Sequence, residues 1–62
     1  MPELRLIDPN GYLVPGATRT VPDDQVEAVT ANLLAETAVQ DADYWAEYGH
    51  PYTARQYTVR VA

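Results

Sequence analysis

The residues best equipped for chemistry sit in one stretch. His50 is the only imidazole, Glu47 lies three positions before it, and Asp41 and Asp43 stand upstream. On a helix, a Glu-x-x-His spacing can present two metal ligands on one face. Here Gly49 is expected to end the helix before His50, and the chain offers no second imidazole. No metal or cofactor is therefore expected. A proton-transfer trio could be drawn from Asp41, His50 and a hydroxyl of Thr30, Thr37 or Thr53, but nearly every chain contains such a trio. Ser is absent, and with it the Gly-x-Ser-x-Gly elbow; a P-loop and a dinucleotide-binding Gly-x-Gly-x-x-Gly are also missing. A chain of this size also struggles to enclose a pocket of several hundred Å³. No catalytic residue is assigned, and the expectation is a non-enzymatic protein.

Tyr44, Trp45, Tyr48, Tyr52 and Tyr57 hold every aromatic except Tyr12. Tyr and Trp combine large contact area with a polar tip and are over-represented at binding hot spots. A chain with no Phe must also pack its core with them, so core and interface both remain open readings. Tyr48 and Tyr52, flanking Gly49-His50-Pro51, are the preferred exposed candidates; Trp45 is assigned to the core.

Charge is segregated. Residues 20–54 contain seven acids and no Arg, whereas Arg5, Arg19, Arg55 and Arg60 all lie in the flanks, within a net charge of −5. In one reading the flanking Arg side chains dock beside the acidic segment, where exposed pairs contribute about 0–1 kcal/mol each. In another, the acidic segment faces a basic partner, since complementary charge steers encounter. The candidate partner-binding set is Glu36, Asp43, Glu47, Tyr48, His50 and Tyr52. Mimicry of a nucleic acid by aligned carboxylates is a weaker alternative. Direct nucleic-acid binding is not expected, because phosphate affinity comes from Lys and Arg and the chain has no Lys.

The elements that would position these residues must come from one small domain, residues 1–62, near the lower limit for folding without staples. The absence of Cys removes disulfides, thiolate metal sites and cysteine nucleophiles. No apolar run exceeds three residues, so neither a membrane span nor a signal-peptide core is present. The expected location is the cytoplasm. Abundant Ala, Val, Asp, Arg and Pro with no Lys suggest a GC-rich coding sequence, such as an actinobacterium or its phage, which would place the chain in a host cytoplasm.

Leu4 and Leu6 alternate with Glu3, Arg5 and Ile7, as in a half-buried strand. Asp8-Pro9-Asn10-Gly11 supplies tight-turn chemistry, and Tyr12-Leu13-Val14 returns as a second strand halted by Pro15-Gly16. A hairpin over residues 3–14 is predicted, with residues 15–20 a connection or, from Thr18 to Val21, a sheet extension after a kink. Pro22 suits the first turn of a helix, and Asp23 and Asp24 favour its positive end. At 100° per residue, Val26, Val29, Thr30, Leu33, Leu34, Thr37, Ala38, Tyr44, Trp45 and Tyr48 share an arc opposite Gln25, Asn32, Glu36, Asp43 and Glu47. Asp41 falls in the apolar arc and Val39 in the polar one. A continuous helix would be about 40 Å long, so a break is expected near residues 40–43, with Asp41 or Asp43 capping a second segment. Gly49-His50-Pro51 ends the helix. Residues 55–61 alternate as a last strand, with Tyr57, Val59 and Val61 on its dry face.

The expected fold is α+β, in the order ββαβ: a three-stranded antiparallel sheet in order 2-1-3 with one amphipathic helix on one face. The expected function is a small acidic protein-binding module, a phage-encoded modulator of a host protein or an accessory of a host complex. The partner would be another protein with a basic surface, without nucleic acid or membrane. The alternative is a homo-oligomeric structural or virion component.

Overall fold

A computed structural model describes all 62 residues. Strand β1 (Glu3–Ile7) lies at the centre of an antiparallel sheet, with β2 (Leu13–Thr20) and β3 (Thr58–Val61) on its two sides, in order β2-β1-β3. One 25-residue helix, residues 23–47, packs on a single face. The predicted α+β fold and strand order are those observed.

The hairpin turn is built as its residues imply. Asp8 Oδ1 accepts the backbone N–H groups of Asn10 and Tyr12, both at 2.9 Å, and Asp8 N donates to Tyr12 O at 2.8 Å. Gly11 adopts φ +88°, which a side chain would oppose.

The second strand does not stop at Pro15. It continues to Thr20 because Pro15 and Gly16 are absorbed in a bulge: Arg5 pairs with Thr18, whereas Ile7, two residues on, pairs with Leu13. β2 is an edge strand, where a residue without N–H is tolerated. The bulge resets the alternation, so Val14 and Ala17, three apart, are both buried. The Arg19 guanidinium folds back on this irregularity, Nη1 donating to Gly16 O and Thr18 O, each at 2.9 Å. Residues 15–20 thus belong to the sheet, so the extension after a kink, and not the plain connection, is what forms, ending at Thr20.

The helix is unbroken at residues 40–43. It opens with a 3₁₀ turn (Asp23–Gln25) just after Pro22 and runs as α1 (Val26–Asn32). It then widens into a π turn (Leu33–Thr37) and finishes as α2 (Ala38–Glu47). Ala38 N–H donates to Leu33 O, five residues back. The cause lies in the spacing of the core residues. Leu34, Ala38 and Ala42 face the core at intervals of four, and buried Leu33 with half-buried Thr37, Asp41 and Trp45 repeat at the same interval beside them. A 3.6-residue helix drifts about 40° per such interval. The extra residue of the π turn takes up most of that drift and keeps the stripe on the sheet. It also rotates everything downstream by about 100° relative to a regular helix. Ala42 is therefore buried, while Tyr44 and Tyr48 are turned to solvent, at 53% and 64% exposure. Such a helix spans about 37 Å at 1.5 Å per residue, matching the 37 Å long axis of the molecule.

The helix ends where predicted. Gly49 has φ +85°, Gly49 N donates to Ala46 O at 3.2 Å and His50 N to Trp45 O at 3.0 Å, the paired bonds of a Schellman stop. The last strand is shorter than its alternation suggested. Ala54–Gln56 forms a 3₁₀ turn, held by Thr53 N donating to Gln56 Oε1 at 2.9 Å, and β3 begins only at Thr58.

Ten residues are buried, nine of them in two clusters bridged by Val59 and the tenth, Ile7, outside both. Leu4, Val21 and Leu33 form one; Leu6, Val14, Ala17, Ala38, Ala42 and Tyr57 form the other. Ala38 and Ala42 let the helix approach closely, and Tyr57 supplies the bulk between it and the sheet. No helix is long and apolar enough to cross a membrane.

Candidate functional site

The end of the molecule where the helix stops beside the hairpin turn concentrates nearly all the aromatic surface. The Schellman stop folds His50 back on Trp45, with ring centroids 5.5 Å apart in an edge-on arrangement, and Tyr52 stacks on His50 at 5.9 Å. Tyr44 packs against Trp45 at 5.4 Å and against Tyr48, one turn on, at 5.0 Å. Asn10 Nδ2 of the hairpin turn donates to the Tyr52 hydroxyl, tying the turn to the segment after the helix.

Of the residues singled out from sequence, Glu36, Asp43, Glu47, Tyr48 and His50 are exposed, and Tyr52 is half-buried against the larger core cluster. Asp43 and Glu47 lie four apart on α2, one turn from each other. Tyr48, His50 and Tyr52 belong to the aromatic group, whereas Glu36 stands well back on the π turn. Trp45, assigned to the core, is half-buried at its margin.

None of the helix carboxylates has an ion-pair partner. The single ion pair is Arg5 Nη2 to Glu3 Oε1 at 2.6 Å, across neighbouring positions of β1. Arg19 is committed to backbone carbonyls, so docking of the flanking Arg side chains onto the acidic segment does not occur.

A groove of about 500 Å³ opens between the hairpin and α2, lined by Asp8, Tyr12, Leu13, Val14, Pro15, Asp41, Tyr44 and Trp45. It continues past Pro15 and Tyr44 toward Thr37 and Gln40. Tyr12 is 71% exposed and Leu13 49%. Both carboxylates on this groove are pinned. Asp8 accepts two turn amides through Oδ1, and Asp41 Oδ2 accepts the hydroxyl of Tyr57, itself buried beneath. Burial, followed by the hydrogen bond to Asp41 and the nearby charges of Asp41 and Asp8, pushes the Tyr57 phenol far above its usual range. Repulsion from Tyr48, foremost among its causes, raises Tyr44 as well.

Asp8, Tyr12, Leu13 and Pro15 entered the sequence reading only as turn or strand positions, and Tyr44 only as one of the aromatics open to a core or an interface role. Their convergence depends on the β2 bulge and on the helix rotation at the π turn. The misplacement of Asp41 and Val39 on a regular helical wheel was the available signal for that rotation. Chemically, the arrangement offers aromatic faces and pinned carboxylates in one concave surface. No group of three or more His, Cys, Asp or Glu residues is arranged to hold a metal ion.

The chain is thus a small α+β domain with an aromatic, acidic groove at one end. Compared with known families, curated proteins and solved structures, it matches none.

Proposed function

We propose that the chain is a small, acidic, non-enzymatic binding module that docks onto a basic surface of another protein through the end of the molecule where helix and hairpin meet. The observation that carries this reading is the groove, with exposed Tyr12, Leu13 and Tyr44 along it and Asp8 and Asp41 within it. Tyr48 and His50 extend the aromatic surface beyond the groove, and the unpaired Glu36, Asp43 and Glu47 add long-range attraction for a basic surface. Size and residue usage suit a phage-encoded modulator of a host protein, or an accessory of a host complex, acting in the cytoplasm. The test is affinity capture with the wild-type chain beside the Glu36→Lys/Asp43→Lys/Glu47→Lys variant. One near-stoichiometric partner, lost or much reduced with the charge-reversed chain, is the expected result; undiminished capture would remove the acidic face from the account.

A second reading, a homo-oligomeric structural component, has one observation in its favour. β3 is an open edge, Arg60 is its sole charge and Val61 is 60% exposed. Sedimentation across a wide concentration range tests it, and a monomer throughout would exclude it.

A further inference from the structure

We infer that the groove between the hairpin and α2 is a subsite for a single arginine side chain presented by the partner. This deepens the binding-module reading and rests on it.

The groove calls for a cation. Asp8 and Asp41 both line it, and each is oriented by bonds to one oxygen only: Asp8 Oδ1 to two backbone amides, Asp41 Oδ2 to the Tyr57 hydroxyl. The second oxygen of each carboxylate accepts no hydrogen bond within the chain. No Arg of the chain pairs with either residue. The positions of both carboxylates are set by the fold, so a cation entering the groove meets charges already in place and pays little to order them.

The walls favour guanidinium over ammonium. Tyr12, Tyr44 and Trp45 line the groove together with the carboxylates, and Leu13 and Pro15 supply apolar contact for an aliphatic stem. A planar, weakly hydrated guanidinium stacks on aromatic rings while donating to carboxylate oxygens in its plane, whereas a compact, strongly hydrated ammonium does the first poorly. A volume of about 500 Å³ has room for the whole side chain and part of its flanking backbone. The surrounding acids, Asp43 and Glu47 among them, repel an anionic segment from the same end of the molecule.

The experiment titrates ¹⁵N-labelled full-length chain with the blocked peptide acetyl-Gly-Arg-Gly-amide, and in parallel with its citrulline and lysine counterparts. Citrulline keeps the shape and removes the charge. The expected result is saturable shifts at the Trp45 indole and the amides of Tyr12, Val14 and Tyr44, weaker shifts with lysine and none with citrulline. The paired variant Asp8→Asn/Asp41→Asn keeps a side-chain oxygen to accept the turn amides and the Tyr57 hydroxyl, and so preserves the fold. It should weaken the arginine peptide by about tenfold or more for the charges removed. Equal shifts from all three peptides, shifts spread over the acidic helix face, or unchanged affinity in a well-folded Asn variant would each overturn the subsite. The two levels separate. A partner captured equally by wild-type chain and Asn variant, yet lost on reversing Glu36, Asp43 and Glu47, would sink the subsite and leave the module. Saturable arginine binding with no partner captured would do the reverse.

Discussion

Replacing Tyr57 by Phe removes one oxygen from the core and tests how the helix is tied to the last strand. Tyr57 is 3% exposed, and its hydroxyl donates to Asp41 across the interface between α2 and the segment entering β3. The ring stays, so packing is kept. What is lost is a hydrogen bond to a charged acceptor, typically about 1.5–3 kcal/mol. Asp41 is half-buried, and water recovers part of that loss, so about 1–2 kcal/mol is expected. For a domain of this size the same change lowers Tm by roughly 4–8 °C per kcal/mol. The pH dependence gives a sharper signature. The folded-state pKa of Tyr57 lies well above the ordinary tyrosine value, so above pH about 10 the unfolded chain has released a proton that the folded chain retains. With fewer protons on the unfolded state, stability falls as pH rises, at up to about 1.4 kcal/mol per pH unit for this one group, while below pH about 10 the contribution is complete. Urea unfolding followed by Trp45 fluorescence from pH 7 to about 11 measures both effects. The phenylalanine variant should be weaker at neutral pH and should lose less stability than wild type on the alkaline side. An unchanged midpoint at pH 7 together with an identical alkaline slope would refute the reasoning.

Other consequences follow from the helix and its charges. Deleting Ala35, an exposed residue of the π turn, converts that turn to regular helix without rotating the downstream stripe; the fold should survive at a cost of less than about 1.5 kcal/mol. Deleting Val39 in α2 turns Ala42 and Trp45 off the core by about 100° and should abolish cooperative unfolding, as circular dichroism would register. Gly49→Ala places a side chain at φ +85° and should cost about 1–2 kcal/mol in urea unfolding. Because the helix carboxylates repel one another with no cation to pair them, added sodium chloride should raise Tm; a fall would mean that ion pairs hold the fold.

The local signals in the sequence carried their elements reliably. Asp8-Pro9-Asn10-Gly11 gives the turn, Gly49-His50-Pro51 stops the helix, and the period of two in Leu4, Leu6 and Val59 marks the inner face of the sheet, with Tyr57 buried just before β3. Val61, expected on the same dry face, is instead 60% exposed at the end of the edge strand. Two features were out of reach because tertiary packing creates them. Pro15-Gly16 reads as a terminator, and only pairing with β1 reveals a bulge inside an edge strand. A π turn has no residue preference of its own; its trace is a core stripe repeating every four residues, too long for 3.6 per turn. A regular helical wheel put Tyr44 and Tyr48 on the apolar arc, yet both are exposed, Tyr48 as its place beside the helix stop suggested, while Ala42 is buried. The groove depends on both features, so its residues could not be assembled from sequence.

The most direct test of a module that docks through the helix–hairpin end is amide shift mapping of the ¹⁵N-labelled chain in complex with its captured partner. The account predicts perturbed signals confined to residues 8–15 and 41–52, with the outer sheet face at Arg5, Thr18 and Arg60 unchanged. Perturbation centred on that sheet face or on the β3 edge would contradict it.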